Sequence, residues 1–486
     1  MKNFKHGFVP CGTERNSINM QITSDIERSV ADFKREAATD KNFDIIIREF
    51  KIGIQKAAFF LLDGDSHSQV TTQIMRSFLE KHANATEKMS AEDIMNNVIP
   101  FVEVTLISDI DNAIITMMTG PVIMFVDGID VAFAIDAKQF PQRETAEPET
   151  DKVIRGSRDG FVEITIFNAA LIRRRIHSKF LRMEQMMVGN VSPTAVIVCY
   201  MDNKCDKKLL KKIKDKISKI DIDALVMNQE TLAENLFPPI WYNPLPKILY
   251  SERPDTTCAA LIEGKIAIII DNSPSVMILP STMFDFLSEA NDYYFPPITG
   301  TYYRLVKSLL MITAILLTPV WLCILSYPEA IPPWLEVIKI KEPSYVPLVV
   351  QLIVMEFILE VTRIATLNAP NVLGSAIGIV GALLVGECAV SSGWMTSETV
   401  FFMSFLAVAI YALPSFELGY AFKFFRLTLI ILTTLFKVWG LIGGSVLILI
   451  LAICTKTADG SGYLYPLIPF DAKELGKIMT RKRLKR

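Results

Sequence analysis

The chain changes chemistry near residue 305. Upstream it reads as charged and soluble; from Leu309 to Cys454 it is apolar, with carboxylates and an arginine set inside the apolar run. Apolar segments long enough to sit in lipid must be helical, because no water is present there to satisfy backbone groups. Charges inside such segments are expensive, so they predict a conduction or coupling path and not a simple anchor.

At 486 residues the chain can hold two or three units. Its apolar share, 51 %, averages the two regimes, and the formal net charge of -2 predicts no nucleic-acid partner. The C-terminal tail differs: Arg481, Lys482, Arg483, Lys485 and Arg486 form a basic run. It reads as a positive-inside topology signal, compatible with binding anionic lipid. The seven cysteines include no CxxC pair, which predicts reduced thiols and a cytosol-facing soluble part. The N-terminus, Met1 to Met20, has no apolar core of a signal peptide, so the first apolar span is expected to act as the insertion signal.

Residues 1–40 are polar and read as a loosely packed lead-in. Residues 41–145 and 146–300 then read as two related α/β subdomains. In the first, Phe59 to Leu62 is a buried strand ending at Asp63-Gly64, Thr71 to His82 a helix, and Phe101 to Ser108 a strand. Val122 to Val126 and Val131 to Ile135 flank Asp127-Gly128, a hairpin signal. Gln139 to Asp151 is a Pro- and Glu-rich linker. The plan recurs with Ala195 to Tyr200, the run opened by Gly264, and Val276 to Leu279. Lys207 to Lys219 reads as a lysine-rich helix with a solvated face.

Residues 301–456 form a helical multipass transmembrane domain in this reading, and 457–486 the basic tail. Its apolar segments are Ser308 to Tyr327, Tyr345 to Leu367, Asn371 to Val390, Thr399 to Phe416 and Leu427 to Cys454. The last is too long for one simple span and too short for two. Arg304 and Lys307 before the first span, against Glu329, Glu336 and Glu342 after it, place the N-terminal part in the cytosol. A cytosolic tail needs an even number of crossings, so one segment must be re-entrant, interfacial or doubled, or the tail breaks the positive-inside rule.

No enzyme signature stands out. The four histidines, His6, His67, His82 and His177, are scattered, and no metal-spaced Cys/His set or phosphate-binding P-loop occurs. The chain is read as non-enzymatic, without metal or cofactor. Glu356, Glu360 and Arg363 carry the strongest signal: spacings of four and three put them on one helix face. That face should meet a pore, a subunit interface or another helix; an interfacial helix or an internal Glu360–Arg363 pair would also satisfy it. Gly374, Gly378 and Gly381 permit close helix packing. Glu387 either snorkels to the interface or joins a cation-selecting ring in an oligomer. Pro414 reads as a kink or helix end. The stretch Arg155, Gly156, Arg158, Asp159, Gly160 and Glu163, running into Arg173, Arg174 and Arg175, reads as a turn feeding a solvated basic helix that pairs with acids, within the subunit or across subunits.

Several of these stretches resemble the GerA family of spore germination proteins, the A subunits. The run from Arg155 to Glu163 and on to Ile176 is similar to the family signature, and Glu356, Glu360 and Arg363 to its acid–acid–arginine pattern. Gly378 to Ala382, Pro414 to Leu418 and Tyr463 to Leu467 resemble further family stretches. Ala330 to Leu335, Ser415 to Lys423 and Tyr463 to Phe470 look like the stage V sporulation protein AF branch, and Glu387 stands where nutrient-receptor A subunits often carry glutamine. The resemblance implies a multipass protein of the inner spore membrane with a cytosolic two-part N-terminal domain. It also implies a homo-oligomeric ring, pentameric in the family pattern, that works with other germination membrane proteins and releases cations. The membrane acids and the signature arginines would then be pore and subunit-interface residues.

Overall fold

The computed structural model describes residues 20–64, 68–81, 87–101, 103–137, 156–238, 240–341, 344–368 and 386–480. Arg155, Glu342, Gly374, Gly378, Gly381, the linker 139–151, the tail arginines and lysines, and His6, His67 and His82 lie outside them.

Two antiparallel sheets carry the N-terminal part. The first contains β1 (Ile45–Ile52), β2 (Gln55–Leu62), β3 (Val104–Ile107), β4 (Val122–Val126) and β5 (Ala132–Ile135), ordered β1-β2-β4-β5-β3. The second contains β6 (Leu181–Val188), β7 (Thr194–Met201), β8 (Leu249–Ser251), β9 (Ile266–Ile270) and β10 (Val276–Leu279), ordered β6-β7-β9-β10-β8. Each order is the same permutation of five strands. Strands β4, β5, β9 and β10 are buried at every position, which explains their unbroken apolar sequences. Gly128 turns between β4 and β5 at φ 84°, and Gly264 ends the helix Pro254–Glu263 at φ 103°. Both angles suit glycine, which has no Cβ to clash.

The lead-in reading of residues 1–40 is corrected by the helix Ile26–Ala37. Asp25 caps it by accepting from the Glu27 backbone N–H. Ile26, Val30, Phe33 and Ala37 recur at helical spacing and are buried in the core under the first sheet. The Phe33 ring lies 4.5 Å from that of Phe60 and 5.3 Å from that of Phe125. High charge on the outer face hid this apolar stripe.

The C-terminal part is helical. Pro297–Leu325 and Phe416–Cys454 are long and apolar enough to cross a membrane; Leu348–Asn368 and the shorter Ser397–Tyr411 pack beside them. Most of segment 371–390 is outside the described residues. Phe416–Cys454 is not one straight rod. Lys437 breaks it with φ 51° and ψ -129°. Past that point Gly440 lies against the Leu432 backbone and Gly444 against Leu429 and Leu432 side chains. Residues eight apart on a straight helix are about 12 Å apart, so the helix has reversed. Phe422 and Ala452 accordingly share one cluster. The sequence reading of a span too long for one and too short for two resolves as a hairpin of 416–436 and 438–454.

The hairpin begins and ends beside the second sheet. Its tip lies far from that sheet, where the Lys437 ammonium sits 5.7 Å from the Tyr327 ring, just past Pro297–Leu325. Pro414 falls between two helices, and Ser415 caps the next by accepting from the Leu418 N–H.

Candidate functional site

Two antiparallel helices place their charged residues opposite one another. On Leu348–Asn368, Glu356 meets Arg426: Nε donates to Oε1 at 2.6 Å, and both side chains are buried. One turn along, Glu360 accepts from Lys423 at 2.7 Å and from the Tyr420 hydroxyl at 2.9 Å. Arg363 completes the row by lying over the rings of Tyr420 and Phe416, at 4.3 and 5.1 Å, a cation–π contact. The residues 416, 420, 423 and 426 repeat every three or four positions, the spacing that keeps them on one face. Ile353, Phe357 and Val361 point away from this ladder and are exposed.

The ladder redefines the acid–acid–arginine face. It meets another helix of the same chain, and the carboxylates pair across helices; Glu360 pairs with Lys423, and Arg363 stacks on aromatic rings. Arg426 also donates from Nη1 to the Ala314 carbonyl at 2.5 Å, which ties Pro297–Leu325 into the arrangement. Among the described residues its Nη2 has no hydrogen-bond partner, nor have the buried hydroxyls of Thr318 and Thr433. The sequence reading missed Lys423 and Arg426. The signal was present, because their spacing complements that of Glu356 and Glu360.

Glu387 sits elsewhere, exposed on the short helical stretch 386–391. At the far end of the bundle, Gln351 accepts from the Thr396 N–H and the Thr399 hydroxyl, both at 3.0 Å, and donates to the Val346 carbonyl. That buried amide joins Leu348–Asn368 to Ser397–Tyr411.

The arginine-rich signature holds the two sheets together. Arg173 is 1 % exposed and lies on the helix Thr165–Arg173. It grips Asp44 through Nε at 2.7 Å and Nη2 at 3.0 Å, and Asn42 through Nη2 at 3.0 Å. Asn42 Oδ1 accepts as well from the Met183 N–H in β6. Arg173 is therefore not on a solvated face; its fork bridges a loop before β1 to the second sheet, a geometry lysine lacks. Arg175 donates to Ser157 at 2.7 Å and Asp159 at 3.1 Å. Arg158, Glu163 and Arg174 are exposed, whereas Gly160 is buried.

Gly156 packs under Tyr294 so closely that a Cβ would lie 2.5 Å from the ring. The Tyr294 hydroxyl donates to Asp255 at 2.8 Å, and Arg253 grips the same carboxylate. Burial pushes the Asp255 carboxyl up, but the hydrogen bonds from Arg253 and Tyr294 hold it below the usual range. This cluster joins the signature to the start of Pro297–Leu325. There Lys307 donates to Glu289 at 2.9 Å and Asp292 at 2.8 Å, while Arg304 donates to the carbonyls of Lys477 and Ile478.

Between the second sheet and the helix ends lies a cavity of about 310 Å³, bordered by Glu230, Tyr250, Arg253, Pro414 and Glu417. Burial and the neighbouring Glu230 carboxylate push the Tyr250 phenol up. Among the described residues no group of His, Cys, Asp and Glu is placed to hold a metal ion.

A double-sheet unit clamped through signature arginines, joined to an apolar bundle that carries an internal charge ladder, defines the class. The family model described as Bacillus/Clostridium GerA spore germination protein matches residues 33–486, and the chain belongs to that family. It is 32 % identical over 449 residues to stage V sporulation protein AF of Bacillus subtilis (strain 168), covering 92 % of this chain and 91 % of that protein. It is 30 % identical over 466 residues to spore germination protein KA of the same organism, covering 95 % and 85 %. Among solved structures, the N-terminal domain of the A subunit of the Bacillus megaterium spore germinant receptor GerK3 is 24 % identical, with a TM-score of 0.41 over 54 % of this chain and 97 % of that one. Family membership gives the chain a role in spore germination.

Proposed function

We propose that this chain is a multipass membrane subunit of the germination machinery that forms or modulates a path for cations. The observation that carries the proposal is the ladder. Oppositely charged residues are spent against each other inside an apolar bundle, as lipid surroundings demand. Exposed aromatic residues lie at both ends of the bundle: Trp334, Tyr345, Trp394 and Trp439 at one, Tyr302, Tyr303 and Tyr411 at the other. Such belts suit the two faces of a bilayer.

In this reading the hairpin supplies two crossings, 297–325 and 348–368 two, and 397–411 together with the apolar sequence segment 371–390, most of it outside the described residues, two. The even total returns the basic tail to the side of the sheets, the cytosolic side of the spore's inner membrane. Because Glu356 and Glu360 are neutralised within the chain, they act as assembly residues. Glu387, exposed beside the glycine segment, is the acid available to a shared path in a homo-oligomer, for which the family resemblance suggests a pentameric ring.

Potassium efflux from liposomes containing the purified full-length chain tests this. Efflux that falls on Glu387→Gln, with assembly intact, supports the path. No efflux from well-formed oligomers would favour a second reading, a signal relay working with other germination proteins. The cavity joining Glu230 and Tyr250 to Pro414 and Glu417 favours that reading, since it couples the second sheet directly to the helices.

A further inference from the structure

The loop Ile240-Trp241-Tyr242 presents large apolar side chains to the outside: Trp241 is 95 % exposed and Tyr242 60 % exposed. Its neighbours fix where it lies. Asn243 donates to the Thr455 hydroxyl at 2.8 Å, and Thr455 is the residue that ends Phe416–Cys454. Leu245 is buried among Phe422, Phe425 and Ala452. The aromatic pair therefore stands at the level where the hairpin's return arm ends.

A row of lysines runs alongside. The helix Lys207–Ile217 buries Leu209, Leu210, Ile213 and Ile217 and turns its lysines outward. Lys212 donates to the Ala458 carbonyl, just past the hairpin, at 3.2 Å. Lys216 lies 4.8 Å from the Phe237 ring, just before the aromatic loop. Lys208, Lys211 and Lys219 line the same shallow groove, with Asp215 as its one acid. Those three make no ion pair among the described residues.

We infer that this loop and lysine row form a peripheral bilayer contact, separate from the crossing helices, that selects anionic phospholipid. Trp and Tyr favour the headgroup level, where one end of the ring is apolar and the other wet. Lysines beside them are attracted to a negative lipid surface. Charge complementarity and continuity with the hairpin's end favour lipid as the occupant over a second copy of the chain. The inference rests on the membrane reading given above.

The test uses the full-length chain in nanodiscs of phosphatidylcholine doped with brominated phosphatidylcholine or brominated phosphatidylglycerol. Subtracting the emission of Trp241→Phe from that of the unmodified chain isolates Trp241. The expected result is quenching by both lipids, roughly twofold or more stronger with the anionic one. That excess should vanish in Lys208→Gln/Lys211→Gln/Lys219→Gln. Trp241 that is quenched by aqueous iodide and not by bromolipid would overturn the inference. So would Trp241 that neither reaches, which would mean a second copy covers it. Trp334 and Trp439 serve as internal references: bromolipid quenching there with a silent Trp241 sinks only this contact, whereas no quenching anywhere sinks the membrane reading itself.

Discussion

Removing one charge from the Glu356–Arg426 pair should cost far more than removing both. The two side chains are 5 % and 0 % exposed and share a hydrogen bond of 2.6 Å. Breaking a buried pair leaves the other charge desolvated and costs about 3–5 kcal/mol, while replacing both by apolar residues of similar volume costs little. At about 2–4 °C per kcal/mol for a domain of 150–250 residues, Glu356→Leu or Arg426→Met should lower the Tm by roughly 6–20 °C. The double substitution should restore most of that loss. Glu356→Gln should fall between, since its carbonyl can still accept from Nε while the guanidinium charge stays uncompensated. Thermal unfolding of the full-length chain in nanodiscs, read as a double-mutant cycle, measures the coupling. Additive losses would show that the two charges do not sense each other, and the ladder would then not be what holds these helices in register.

Three further outcomes follow from the geometry. Lys437 adopts φ 51°, ψ -129°, a region costly to any residue with a Cβ, so Lys437→Gly should raise stability by about 1 kcal/mol and Lys437→Pro should disrupt the hairpin; nanodisc thermal melts distinguish them. Arg173→Lys loses the fork on Asp44 and Asn42 and should destabilise the junction of the two sheets by about 2–3 kcal/mol, seen as faster proteolysis between residues 44 and 181. Asp255 has its carboxyl held below the ordinary 3.8. Its contribution is therefore fully present above about pH 4 and is lost as pH falls through the lowered value, because the unfolded chain takes up the proton first; Asp255→Asn should flatten that acid limb in a pH series of melts.

Much of the double-sheet architecture was legible because its central strands are unbroken apolar runs bounded by glycines, Gly128 turning after β4 and Gly264 just before β9. The edge strands β1 and β6 were not, because Ile45–Ile52 and Leu181–Val188 mix charged and apolar residues, as partly exposed strands do. The same mixture concealed the helix Ile26–Ala37, where charged residues stand between the core positions Ile26, Val30, Phe33 and Ala37. In the bundle, spacing identified Glu356, Glu360 and Arg363 as one face. Their partners Lys423 and Arg426 lie some sixty to seventy residues away, and only tertiary packing shows which helix faces which. The signature arginines do pair with acids, as their charge indicated, but the burial of Arg173 was not legible: a basic triplet looks solvated until a buried acid is found, and Asp44 lies 129 positions upstream of Arg173.

After its last apolar helix the chain does not trail away. Ala458 enters the core beneath the second sheet, and Tyr463 and Leu464 join the cluster that includes Leu245, Met283 and Phe286. The Met283 N–H donates to the Tyr463 carbonyl at 3.0 Å. The pieces that finish this junction are thus encoded after the hairpin, although all five strands of the sheet precede it. During synthesis the core beneath the second sheet stays unsealed on the side of the helices until the hairpin has been made and both its arms seated. Truncation just before residue 455 would therefore leave a sheet unit already formed but unsealed, and a late step in biosynthesis would decide when the two halves of the molecule become one mechanical body.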